Sequence, residues 1–267
     1  MREWIWFSHA NGFPASTYRT LFGYLEPHYE VHAIERIGHD PHYPVDRDWR
    51  GLTAELVDRL REQVAGKVWL VGHSLGGFLS LLAARQMPHR VHGVVMLDSP
   101  LIGGWRAPLL RVGQRVGVDR WVMPMIDATR RRRRHWLDRA DVLQHFLAKP
   151  AFARWDRRVL DDYVEHGTYA RDDGSRELAF DREIEWRIYR SLPQSPRRSP
   201  VPVGFLAGTH SRELRQAGLA ATRRLVGEQL AWIDGSHLFP MEQPQVAAEA
   251  VLAMIERLRS SAAPPRR

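Results

Sequence analysis

Short, dense apolar runs alternate along the chain with longer segments of mixed pattern. Trp4 to Phe7, Val68 to Val71, Val91 to Leu97, Val201 to Gly208 and Leu230 to Ile233 read as buried strands, and Glu30 to Glu35 as a further one. Between them the spacing changes to that of helical faces. Leu21, Phe22 and Leu25 share one face of a segment from Pro14 to Leu25, with the proline near its start. Leu52, Leu56, Val57, Leu60 and Val64 keep the i, i+4 spacing of a core-facing helix that Asp46 or Asp48 can cap and Gly66 ends. Phe78 to Met87 has the apolar density of a buried helix, Glu213 to Val226 reads as another, and Gln245 to Leu258 as the last. Strand and helix in turn predict one α/β domain around a mostly parallel sheet of about six strands.

The rhythm stops after Leu97-Asp98-Ser99-Pro100 and resumes only at Val201. The residues between are mostly helical in pattern and hold five of the ten tryptophans, Trp105, Trp121, Trp136, Trp155 and Trp186. Most of these rings are expected to fill a small core and one or two to face a pocket. Residues 101–200 also carry 21 Lys or Arg against 14 Asp or Glu, so nearly all of the net charge of +8 lies there. Arg130 to Arg134 form the one extreme run, expected to be a solvated helix face partly paired with Asp127, Asp138 and Asp141. No aromatic interleaving or nucleic-acid fold signature accompanies it, so nucleic acid is not an expected partner. The chain has no cysteine, which excludes disulfides and thiolate metal sites and fits a reducing compartment. It opens without a signal-peptide pattern and contains no apolar run of membrane-spanning length, so a cytoplasmic location is expected. No feature specifies an oligomer.

Between the Val68 strand and the Phe78 helix stands Gly72-His73-Ser74-Leu75-Gly76-Gly77, a G-x-S-x-G pattern in the strand, turn and helix context that gives it meaning. A serine hydroxyl is a weak nucleophile. To react it must stand clear of the sheet on a turn too sharp for ordinary side chains, hence the glycines two positions to either side. The helix that follows aims its free N–H groups at the turn, so the Leu75 N–H can hold a developing oxyanion.

This segment resembles the nucleophile elbow of the α/β-hydrolase fold family, in the form common among its serine esterases. The resemblance covers most of the chain. It implies an α/β-hydrolase core from residues 1–100 and 197–260 with helices on both faces of the sheet, a helical cap inserted at 101–196, and a flexible tail at 261–267. The family's N-terminal hairpin is expected to be missing, because the few residues before His9 are too short for two strands at roughly 3.3 Å per residue. In the family the loop after the first strand supplies a second oxyanion donor. Here that loop is Ser8-His9-Ala10-Asn11-Gly12-Phe13-Pro14, with Ala10 where glycine is usual, and the donor is the N–H of Asn11 or of Ala10. Asn11 also resembles the halide-binding Asn of haloalkane dehalogenases, but those relatives use Asp where this chain has Ser74.

Asp234-Gly235-Ser236-His237-Leu238-Phe239-Pro240-Met241-Glu242-Gln243-Pro244 resembles the family's catalytic histidine loop, which makes His237 the candidate base. Such a histidine needs a carboxylate on its other ring nitrogen. The family's usual Gly-x-x-Asp turn reads Gly208-Thr209-His210-Ser211 here, so Ser211 occupies the expected acid position, and the substitutes are Asp98, at the end of the preceding strand, and Glu213. His9, Phe13, His73, Trp105 and Leu238 are candidates to line the substrate pocket. The resemblance implies a serine hydrolase acting on a small carboxylic ester or thioester through an acyl-serine, with no metal or organic cofactor. A lyase of the same architecture, of the hydroxynitrile or C–C type, and a non-catalytic ligand-binding homologue are the alternatives.

Overall fold

The computed structural model describes residues 2–101 and 125–262. Its centre is a sheet of six strands, β1 (Trp4–Ser8), β2 (Glu30–Ala33), β3 (Val68–His73), β4 (Val91–Leu97), β5 (Val203–Gly208) and β6 (Leu230–Ile233), in the order β2-β1-β3-β4-β5-β6. Every pairing is parallel. No hairpin precedes β1 among the described residues. Side chains alternate across the pleat: Ile5 and Phe7 enter one core layer while Trp6 enters the other. β3 is buried at all six positions, as a strand with neighbours on both edges and helices on both faces must be.

Helices α1 (Arg19–Leu25), α2 (Arg50–Gln63) and α3 (Leu75–Gln86) belong to the first half. The insertion between β4 and β5 has α4 (Met125–Arg130), α5 (Arg139–Leu147), α6 (Arg157–His166) and α7 (Arg182–Arg190), and the last part has α8 (Arg212–Ala217), α9 (Ala220–Val226), α10 (Phe239–Glu242) and α11 (Pro244–Ala262). Leu21 and Leu25 of α1 pack with Val251, Met254, Ile255 and Leu258 of α11 on one face of the sheet. Leu52, Leu56, Leu60, Leu79 and Ala83 cover the other face, so the predicted i, i+4 stripe of α2 is its buried face.

Three sequence expectations need correction. Pro14 to Leu25 is not one helix but a 3-10 turn, Ala15–Tyr18, leading into α1. The helix expected over Glu213 to Val226 is two, because Gly218 ends α8 at a positive φ of 77° that only glycine adopts freely. The insertion, expected to be mostly helical, also contains an antiparallel sheet of His135–Trp136, Arg176–Leu178 and Thr168–Ala170, with Arg176–Leu178 in the middle. Two- and three-residue strands carry too little periodicity to read. Buried Arg176 braces this sheet, its Nε donating to Thr168 Oγ1 at 2.8 Å and its Nη2 to the Glu165 carbonyl at 2.7 Å.

The arginine run meets its expectation in part, with Arg130, Arg131, Arg133 and Arg134 exposed. It lies at the end of α4 and in the turn beyond, and its main partners come from α7. Arg130 pairs with Glu183 at 2.7 Å and lies over the Trp186 ring, while Arg132 pairs with Glu185 at 2.5 Å and donates to Tyr163 Oη at 2.7 Å. Arg133 pairs with Asp141, but Asp138 caps α5 instead, and the Asp127 side chain is outside the described set. Trp136 and Trp155 are buried; Trp105 and Trp121 fall outside the described residues.

Candidate active site

Parallel register brings the ends of the central strands to one rim: Ser8 faces Gly72, His73 faces Leu97, Leu97 faces Leu206, and Gly208 faces Ile233. The loops that leave this rim carry most of the candidate residues, at the place where α/β sheets present their sites. Ser74 turns directly from β3 into α3 with φ 53° and ψ −115°, a conformation disfavoured for a residue with a Cβ. Its N–H donates to the Leu97 carbonyl at 2.9 Å. The flanking glycines follow from crowding. A Cβ on Gly72 would lie 2.3 Å from the Gly76 carbonyl, and one on Gly76 would lie 1.8 Å from the Ser8 carbonyl oxygen.

His237 arrives on the loop between β6 and α10. Its Nε2 is 3.1 Å from Ser74 Oγ, and its Nδ1 is 2.7 Å from Asp98 Oδ1. The carboxylate fixes the tautomer: Nδ1 carries the proton, and Nε2 is left to accept from the Ser74 hydroxyl. Burial opposes charge on His237, but the bond to Asp98, the Asp98 charge and the charge of Glu213 outweigh it and raise its pKa above the ordinary imidazole value.

Asp98 is fully buried and has a positive φ of 40°. Three donors surround its carboxylate: His237 Nδ1 and Ser211 Oγ at Oδ1, each at 2.7 Å, and Gly208 N–H at Oδ2, also at 2.7 Å. Ser211, at the position expected to be acidic, thus donates its hydroxyl to Asp98, while its Oγ accepts from Leu214 N–H at 3.1 Å and caps α8. Glu213, in the first turn of α8, reaches His237 only through its charge; no hydrogen bond joins the two.

In the loop after β1, the Ala10 N–H donates to Tyr18 Oη at 3.1 Å, and the Asn11 side chain donates through Nδ2 to the Glu185 carbonyl of the insertion at 3.0 Å. Of the pocket candidates, Phe13 and Leu238 are half-buried against the cluster that holds Trp155 and Tyr163, with Phe13 5.6 Å from each of those rings. His9 and His73 do not line an open pocket. His9 is fully buried, accepts from Ile37 N–H at 2.9 Å, donates to the Ala10 carbonyl at 2.8 Å, and has its pKa pushed down to about 4, chiefly by burial. His73 is fully buried between Tyr18 and the His237 carbonyl. Trp105 lies outside the described residues.

A hydroxyl, an imidazole and a buried carboxylate in one line can move a proton off the hydroxyl as it attacks. The sequence matches the Alpha/beta hydrolase family over residues 7–250. The chain belongs to that family. Among curated proteins, none matches this hydrolase. Among solved structures it resembles E-2-(acetamidomethylene)succinate hydrolase, at 20% identity and TM-score 0.72 over 96% of this chain and 92% of that one. It also resembles an esterase of M. tuberculosis, at 20% identity and TM-score 0.66 over 96% and 86%, and the thioesterase domain of the curacin biosynthetic pathway, at 16% identity and TM-score 0.65 over 94% and 91%. At such identities these likenesses speak for the fold alone.

Tyr18 and the pairing of Arg132 with Glu185 were not legible in the sequence of this hydrolase. Tyr18 sits in no motif, and Arg132 and Glu185 are 53 residues apart. Ser211 carried a usable signal, because a serine just before the helical segment expected from Glu213 reads as a helix N-cap. Among the described residues, no group of three or more His, Asp or Glu is arranged to hold a metal, and no helix is long and apolar enough to cross a membrane.

Proposed function

We propose that this hydrolase cleaves a carboxylic ester or thioester of modest size through an acyl-serine intermediate. The observation that carries the reading is the contact of His237 with both Ser74 and Asp98, at 3.1 and 2.7 Å. Ser74 Oγ attacks the acyl carbon as its proton passes to His237 Nε2. Asp98 orients the ring and stabilises the imidazolium. His237 then protonates the leaving alcohol or thiol, and afterwards takes a proton from the water that releases the acid. The Leu75 N–H is one oxyanion donor. Because the Ala10 N–H is engaged by Tyr18, Asn11 supplies the other. The segment 101–196 acts as a cap over the site, held to the Asn11 loop by the bond to Glu185, and its aromatic cluster with Phe13 and Leu238 suits an apolar substrate group. The cysteine-free composition supports a reducing, cytoplasmic setting.

The test is pre-steady-state hydrolysis of p-nitrophenyl esters of increasing acyl length, with fluorophosphonate labelling in parallel. A nitrophenol burst that scales with enzyme concentration, together with label on Ser74, is the expected result. Label without a burst or turnover would favour the lyase alternative, and no label at all a binding protein.

The raised pKa of His237 gives a second expectation. His237 must be neutral to accept the serine proton, so kcat/KM should rise with pH through an apparent pKa above the usual imidazole value of about 6.5. The same shift contributes stability that is present below the unfolded pKa and is lost as pH rises through the folded one. A rate limb at or below about pH 6.5 in the free enzyme would contradict the assignment.

A further inference from the structure

We infer that Tyr18 and His73 are positioning residues, which hold the loop of Asn11 and the loop of His237 to the Ser74 turn through one directed chain of hydrogen bonds. The inference rests on the serine-hydrolase reading above, and it adds two residues that touch no reacting atom. Tyr18 closes the 3-10 turn Ala15–Tyr18, and His73 is the last residue of β3, immediately before Ser74. Their rings are 1% and 0% exposed, so water does not compete for their polar atoms.

With His73 held neutral by its burial, chemistry fixes the direction of every bond in the chain. The Ala10 amide can only donate, so Tyr18 Oη accepts its N–H, at 3.1 Å. The His237 carbonyl can only accept, so the proton of His73 is on Nε2 and donates to it, at 2.8 Å. His73 Nδ1 is therefore a lone pair, and the Tyr18 hydroxyl donates into it at 2.7 Å. For a neutral His73 no other placement of the protons satisfies all three contacts.

Two consequences bear on the reaction. The amide of Ala10, next to Asn11, is tied through Tyr18, and the backbone of His237 directly, to the residue beside the nucleophile, so the oxyanion donor and the base keep a set distance from Ser74 Oγ. Neutrality of His73 matters as well. Its ring centroid is 5.1 Å from that of His237, and a charge there would oppose the imidazolium that forms when Ser74 gives up its proton. Burial, with the neighbouring His237 adding to it, holds the His73 pKa well below the ordinary imidazole value.

The experiment compares Tyr18→Phe, His73→Gln, His73→Leu and the double variant Tyr18→Phe/His73→Leu in ester turnover and fluorophosphonate labelling, with melting temperatures as the control for folding. Tyr18→Phe keeps the ring and should lower kcat by roughly 10- to 10²-fold with KM within about threefold, since loosening of this size costs alignment rather than binding. Labelling should slow in parallel. Glutamine can accept from Tyr18 and donate to the His237 carbonyl, so His73→Gln should stay within about fivefold of the unmodified protein, while His73→Leu falls as far as Tyr18→Phe. The double variant should lose no more than the worse single one, because each change breaks the same chain. Folded Tyr18→Phe and His73→Leu proteins with unchanged kcat, or losses that multiply in the double variant, would overturn the inference. Should Tyr18→Phe fail to fold, the comparison of His73→Gln with His73→Leu decides alone. An unmodified protein that neither hydrolyses esters nor takes the label would instead overturn the reading beneath it.

Discussion

Ser74→Ala and His237→Ala should each lower kcat for a p-nitrophenyl ester by about 10⁶-fold, and the double variant by scarcely more. A hydroxyl without an acceptor at His237 Nε2 remains a neutral alcohol, and an imidazole without the hydroxyl has no proton to take. Either deletion therefore removes the whole function of the pair. What survives is the residual rate that oxyanion donors and substrate binding sustain without a nucleophile. Kinetics on the three variants, with thermal melts to establish folding, check this. Losses that multiply would mean that the 3.1 Å contact plays no part in the chemistry.

Asp98→Asn should lower kcat by about 10⁴-fold, whereas Glu213→Gln should change it by less than about tenfold. An asparagine at 98 can turn its amide N–H₂ toward His237 Nδ1, which then becomes an acceptor, and the ring proton moves to Nε2, where it blocks transfer from Ser74. The charge that raises the His237 pKa is lost as well, so the acid limb of the pH profile should move down. Glu213 acts on His237 through charge alone, and its removal should shift that limb slightly in the same direction. Collapse of activity in Glu213→Gln with a modest effect of Asp98→Asn would transfer the acid's role to α8.

The residues of the sheet and of the elbow were legible because their signals are local. Val68 to Val71 is an unbroken apolar run, Gly72 and Gly76 mark the sharp turn, and Phe78 onward carries the density of a buried helix; the structure has β3 and α3 there. The histidine loop likewise advertised itself in a contiguous stretch. The acid did not, since Ser211 stands where Asp is usual and the choice between Asp98 and Glu213 depends on where α8 begins relative to β4. Tyr18 and His73 join residues 55 positions apart, and nothing in either neighbourhood records that distance. The arginine run was legible in part for the same reason. Four of its five cations are exposed and Arg133 pairs with Asp141, as expected, but Glu183 and Glu185 of α7, half a hundred residues downstream, pair with Arg130 and Arg132. Strands such as His135–Trp136 are too short for any pattern to show through.

Because β3 lies inside the sheet with β1 and β4 along its two edges, the turn bearing Ser74 leaves a strand that is hydrogen-bonded on both sides. The excursion between β4 and β5 is moored to that frame through side contacts such as Asn11 with Glu185. The Ser74 turn and the excursion that meets the Asn11 loop are thus secured differently, the one by hydrogen-bonded strands and the other by side-chain contacts.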